Sequence, residues 1–293
     1  MLKFHVPAGI GDISWCYSKV SELSKQRQIG FIVCGDQPRR SHPFVNILPR
    51  IVNLGYSKLS YVPHIQPNIL PPKDTNLAEL KDATYYLGLN PWLEAGHPLN
   101  EAFPHQPTDY HYALHLPHPD TLPAVRMLRS IPHKKIGLYC SSNRHRPDLG
   151  MWTSLQWLEF LRLVKGAYPD AVFVAIGAPY DDKTNEVADL LVNSGHSVYR
   201  FLNQPPCQSF RIMETLSYFF AFPSGLGIMA DVLRVPCMMW YWANLGEWKH
   251  MGGLFTSYAD PETLQSGAHI VAPYASVDEA FRLFSEKGAK HVR

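Results

Sequence analysis

Leu2-Lys3-Phe4-His5-Val6-Pro7-Ala8-Gly9-Ile10-Gly11-Asp12-Ile13-Ser14 opens the chain, and its reading decides the fold. Residues 2–6 read as a short strand, and residues 7–11 form a turn with two glycines. From 12 to 27, Ile13, Cys16, Tyr17, Val20 and Leu23 recur at helical spacing. Residues 29–34 are a second, continuously apolar run that reads as a buried strand. A strand, a glycine loop, a helix and another strand predict a β-α-β unit on a parallel sheet.

The same alternation returns at Lys135. Strands are expected at 136–140, 171–176, 198–202, 218–222, 235–241 and 269–272. Helices are expected at 154–167, 182–194, 209–216, 225–233 and 277–287. In the first of these, Leu155, Leu158, Leu161 and Val164 share one face. Such close alternation predicts an α/β, doubly wound sheet. The middle of the chain is irregular: 63–73 and 98–107 are proline-rich, and 115–133 holds four prolines around a short helix at 124–129. At about 150 residues per domain, 293 residues make roughly two. The expected division is a Rossmann-like domain over 1–120, a linker over 121–134, a second Rossmann-like domain over 135–275 and a closing helix over 276–293.

Composition narrows the partners. With 27 Lys and Arg against 25 Asp and Glu, the net charge is +2. That leaves no global field to hold DNA or an anionic membrane, so any phosphate binding must be local. Hydrophobic residues at 46% and charged residues at 18% describe a globular chain rather than a disordered one. The five cysteines are scattered and form no CxxC, which argues against a disulfide framework or thiolate zinc site and for a reducing compartment. The most apolar stretch, 216–242, is interrupted by Pro223, Asp231, Arg234 and Pro236, so no membrane span is expected and the chain reads as cytoplasmic.

Four motifs carry chemistry. In the first, Gly9 and Gly11 flank the helix start that holds Asp12. Three readings stand side by side. Asp12 caps the helix; Asp12 is a general base presented at a strand's C-terminal end; or the loop binds a dinucleotide, with Asp36 as the ribose acid. A carboxylate where a pyrophosphate would lie weighs against the last. In the second, Ser141, Ser142, Arg144 and Arg146 follow a strand end, with hydroxyls and guanidiniums suited to phosphate. In the third, Gly177-Ala178-Pro179-Tyr180-Asp181-Asp182 starts a helix, and Asp181 or Asp182 is placed to accept from a ribose hydroxyl or to cap. In the fourth, Ser224, Gly225 and Leu226 open another helix whose amides suit a diphosphate.

Other features are weaker. Arg39 and Arg40, with His42 nearby, suit an anionic acceptor or a charged surface. Trp240-Tyr241-Trp242 reads as a stacking platform or as core. His111, His115 and His118 are closely spaced, but Pro117 and Pro119 break any helix that would align them as metal ligands.

Taken together, Gly9-Ile10-Gly11-Asp12, Ser141-Ser142, Gly177-Ala178-Pro179 with its acids, and Ser224-Gly225-Leu226 resemble the bacterial heptosyltransferases of glycosyltransferase family 9 in order and spacing. The resemblance implies a GT-B fold, with two Rossmann-like domains facing across a cleft. It also implies an inverting, metal-independent glycosyltransferase without a cofactor, using a nucleotide-diphosphate sugar as co-substrate. By resemblance, Asp12 is the catalytic base, with Gly9, Gly11, Arg39 and Arg40 on the acceptor side. Ser141, Ser142, Arg144, Arg146, Asp181, Asp182, Ser224, Gly225 and Leu226 then bind the donor. The acceptor implied is a glycan or lipopolysaccharide-type sugar. The chain departs from the family at Pro223, where an acid is common, and at Ile228, where a histidine is usual. Two alternatives remain: sugar transfer to a hydroxylated base in DNA, and an NAD-dependent oxidoreductase using the first glycine loop.

Overall fold

The computed structural model describes residues 1–35, 41–58, 84–86, 112–140, 152–178, 181–221, 225–240, 269–272 and 276–292. The described residues up to His115 form one compact unit and those from Leu116 onward a second.

In the first unit, β1 (Leu2–Pro7), β2 (Ile29–Cys34), β3 (Ile51–Ser57) and β4 (Thr84–Tyr86) form a parallel sheet of order β3-β2-β1-β4. Leu2, Phe4 and Val6 alternate into the core, where Phe4 meets Phe31 edge-on at 6.4 Å. Helix α1 (Ile10–Val20) buries Ile13, Cys16, Tyr17 and Val20, the stripe that the spacing predicts. It is shorter than the expected helix over 12–27. The chain turns at Ser21, whose carbonyl accepts from the Ser24 hydroxyl at 2.6 Å, and continues as α2 (Leu23–Gln26). A serine hydroxyl that takes a nearby carbonyl competes with the helical ladder. Beyond the short α3 (Ser41–Phe44), β3 carries the left-handed Gly55 (φ +98°), whose N–H donates to Asn53 Oδ1 at 3.0 Å.

The second unit begins with α4 (Pro123–Ser130), which lies in the segment read as linker. It buries Val125 and Leu128, and Arg211 Nε donates to the Pro117 carbonyl at 2.8 Å, so 116–134 packs within this unit. The sheet follows the order β10-β9-β8-β5-β6-β7, all parallel. Its strands are β5 (Lys135–Tyr139), β6 (Val172–Gly177), β7 (Val198–Leu202), β8 (Tyr218–Ala221), β9 (Cys237–Trp240) and β10 (His269–Ala272). The connecting helices are α5 (Ser154–Ala167), α6 (Asp182–Asn193), α7 (Pro206–Met213) and α8 (Gly225–Val232). Helix α7 starts three residues earlier than expected because Pro206 fits a first helical turn, where no N–H is needed.

A capping box starts α5: Gln156 N–H donates to Thr153 Oγ1 at 3.2 Å, and Thr153 N–H to Gln156 Oε1 at 2.9 Å. Its buried arc is Trp157, Leu158, Phe160, Leu161 and Val164. Leu155, expected on that face, is 66% exposed, because the arc from Phe160 through Trp157 to Leu158 is centred nearly opposite it around the helix. Phe160 is the hub of a ring cluster with Trp152, Trp157, Phe220, Trp240 and Phe284. Among the described residues, the Trp240 Nε1 and Tyr218 hydroxyl are buried there without a hydrogen-bond partner. The cluster is therefore held by apolar area and ring geometry rather than by polar pairing. Trp240 is thus core, not a stacking platform. The closing helix α9 (Val277–Leu283) passes into a π-turn at Phe284–Gly288, where a Cβ on Gly288 would lie 2.7 Å from the Tyr218 hydroxyl. Among the described residues no helix is long and apolar enough to cross a membrane.

Candidate functional site

Open parallel sheets bind ligands outside the C-terminal strand ends where the strand order reverses. In the second unit that point is β5, which has β6 on one side and β8 on the other. The loop leaving β5 after Cys140 leads into Ser141, Ser142, Arg144 and Arg146. The loop leaving β8 leads through Ser224 to Gly225 and Leu226. The serines and arginines of these loops lie outside the described residues, but chain connectivity roots both motifs at the switch point. Gly225 and Leu226 are the first, half-buried residues of α8, whose remaining positions are buried. The first amides of a helix have no partner within it and lie at the positive end of its dipole, an arrangement that favours an anion.

In the first unit the reversal falls at β1, between β2 and β4. Gly9 is extended (φ −111°, ψ 139°) and is the N-cap of α1, with Ile13 N–H donating to its carbonyl at 2.8 Å. Gly11 and Asp12 are then the second and third helical residues. The capping reading of Asp12 is corrected: glycine holds that position because the chain enters the helix two residues earlier than the pattern suggests. Asp36, Arg39, Arg40, Tyr241, Trp242 and His111 lie outside the described residues. A cavity of about 470 Å³, lined by Tyr17, Lys25, Arg50, Tyr112 and His115, sits at the far end of α1 from Asp12 and includes none of the motif residues.

The two acids of the third motif separate sharply. Asp181 is 4% exposed. Its Oδ2 accepts from Ala178 N–H at 2.5 Å and its Oδ1 from the Tyr139 hydroxyl at 3.4 Å. Its backbone is the N-cap of α6, yet its side chain closes the preceding turn instead of bonding the helix amides. Asp182, the first residue of α6, is exposed. Thr184, fully buried, accepts from Cys140 N–H at 3.0 Å. Sequence reading missed Tyr139 and Thr184, because a hydroxyl inside a strand or helix carries no positional signal of its partner.

Thiol chemistry has no support at the cysteines that burial perturbs. Burial raises Cys34 to about 11 and pushes Cys140 and Cys237 well above the ordinary thiol range, which keeps all three protonated. Among the described residues no group of three His, Cys, Asp or Glu could hold a metal ion.

Two histidines make stability depend on pH. Burial lowers the pKa of His5, whose Nδ1 lies 3.0 Å from Cys34 Sγ. Burial, with Lys165 and Arg162, lowers that of His196. Below the ordinary value of 6.5 the unfolded chain binds protons that the folded chain resists. Stability is therefore full above that pH and declines as pH falls through it. The melting temperature should drop from pH 7 to pH 5, and His5→Gln should flatten the slope. An unchanged slope would remove His5 from this account.

No family model and no curated protein matches the chain. Solved structures do. The ADP-heptose LPS heptosyltransferase II of E. coli superposes with TM-score 0.59 at 13% identity, over 97% of each chain. A glycosyltransferase family 9 protein from Veillonella parvula DSM 2008 gives 0.60 at 10% identity, over 97% of this chain and 96% of the other. The E. coli heptosyltransferase WaaC with ADP gives 0.54 at 12%, over 100% and 99%. At such identities the likeness is one of fold. The chain has a heptosyltransferase-like α/β fold of the GT-B type, built from two units with parallel sheets.

Proposed function

We propose that the protein is an inverting glycosyltransferase that moves a sugar from a nucleotide-diphosphate sugar to an acceptor hydroxyl, without a metal or cofactor. The observation that carries this reading is topological. In each unit the motif with the right chemistry is rooted where the strand order reverses: Gly9 to Asp12 beside β1, and the Cys140 and Gly225 loops beside β5. The fold likeness to a transferase named for ADP-heptose supports a nucleoside diphosphate sugar as the donor.

In the proposed reaction Asp12 accepts the proton of the acceptor hydroxyl. The oxygen forms a bond to the anomeric carbon as the bond from that carbon to the diphosphate oxygen breaks. The leaving diphosphate takes up the electron pair. Its charge is stabilised by the first amides of α8 and by Arg144 or Arg146. A helix N-terminus favours the anionic form of a carboxylate and so opposes its acting as a base. The transfer is still feasible, because the hydroxyl becomes acidic as its oxygen bonds to carbon. Asp182, exposed beside buried Asp181, is the acid free to meet a ribose. The acceptor is a glycan or lipopolysaccharide-type sugar.

A thermal-shift series over ADP, UDP, their sugars and NADH tests the class. A bound ligand at 100 times its Kd stabilises by about 2.7 kcal/mol. For a unit of this size that is about 5–10 °C. The expected result is a shift with one nucleoside diphosphate and its sugar, and none with NADH. A shift with NADH alone would replace the transferase by an oxidoreductase. A nucleotide sugar that is bound and altered with no acceptor glycosylated would also overturn the reading.

A further inference from the structure

The buried polar bracket at the C-terminal ends of β5 and β6 does more than close a turn. Register along β5 ends at Leu138 opposite Ala175 on one side and at Tyr139 opposite Ala221 on the other. The next N–H, at Cys140, lies past the ladder, and the Thr184 hydroxyl from α6 takes it at 3.0 Å. The same helix start reaches back through Asp181 to Ala178 N–H and to the Tyr139 hydroxyl. Gly177 makes room: a Cβ there would stand 2.6 Å from Asp181 Oδ2. Burying a carboxylate is costly unless its oxygens are bonded, and such pairings serve geometry better than stability. One turn of helix therefore ties together the exit of β5, the exit of β6 and the position of Asp182.

From this geometry we infer that Tyr139, Asp181 and Thr184 are positioning residues. They set the distance between the diphosphate-binding side of the donor site, which begins at Cys140, and its ribose-binding side at Asp182. The inference rests on the donor-site reading above. It makes a prediction that simple core packing does not. A bracket that spaces two subsites matters for a ligand that spans both and little for a ligand that occupies one.

The test compares calorimetric affinities for ADP and UDP with those for adenosine and uridine. Thr184→Val keeps the shape and removes the acceptor. It should weaken the diphosphate that the wild type binds by about fivefold to tenfold, the scale of one hydrogen bond. The matching nucleoside should change by less than about twofold. Thr184→Ser, which keeps the hydroxyl, should restore affinity. Tyr139→Phe, which leaves the ring in the core, serves if Thr184→Val does not fold, and should weaken the diphosphate by about threefold. Unchanged diphosphate binding in the variant that folds would overturn the inference, as would equal losses for nucleoside and diphosphate. A wild-type protein that binds neither diphosphate would instead remove the donor-site reading, and this inference with it.

Discussion

Asp12→Asn should lower sugar transfer by about 10²–10⁴-fold, the usual contribution of a positioned general base, while nucleotide-sugar affinity stays within about twofold. Asparagine keeps the size and the polar oxygen of the carboxylate but cannot accept the proton. In the proposed reaction the donor is held by loops of the second unit, so its binding does not call on Asp12. The substitution is also mild for the fold. Asp12 is the third residue of α1 and Gly9 is the cap, so the substitution leaves the N-cap residue in place. What disappears is a favourable charge near the helix N-terminus, worth about 0.3–1 kcal/mol. Steady-state transfer alongside calorimetric donor binding separates the two effects. A variant that retains more than about a tenth of the activity would remove Asp12 from the role of base.

Phe160→Ala should lower the unfolding free energy of the second unit by about 3–5 kcal/mol, the range for truncating a buried aromatic. Its ring is fully buried, with centroids at 5.0 Å from Phe220, 5.1 Å from Trp240 and 5.4 Å from Trp152. Phe281 and Phe284 close the cluster at 6.5 Å and 6.4 Å. These partners come from the segment just before α5, from β8 and β9, from α9 and from the π-turn. The cavity would open between layers that cannot collapse independently. Urea unfolding should show an earlier midpoint for the second unit with the slope preserved. A loss below about 1 kcal/mol would mean that the cluster relaxes into the space.

Much of this was legible because it is local. The stripe of Ile13, Cys16, Tyr17 and Val20 needs only the period of a helix, and the run from Ile29 to Cys34 only the burial of a parallel strand. Glycine loops after strands announce themselves by their order in the chain. The sequence pattern starts α1 two residues late, because Gly9 and Gly11 are equally plausible stops and only the Ile13 to Gly9 hydrogen bond chooses between them. Leu155 looked core-facing because an apolar pattern shows which residues share a stripe, not how wide the buried arc is.

The opening β-loop-α-β run, the second α/β series from Lys135 and the places of the chemical motifs follow from the sequence alone, because periodicity and turn chemistry act over a few residues. The identity of the switch point does not. It depends on β5 pairing with β8, Ile136 opposite Tyr218, more than eighty positions apart. The division of labour between Asp181 and Asp182 is likewise tertiary. Two adjacent carboxylates are chemically the same until Tyr139, 42 residues back, donates to one of them and burial closes over it. Hydrogen bonds between distant segments leave no periodic trace in a chain. The partner that makes one acid structural and leaves the other exposed appears only when the sheet is assembled.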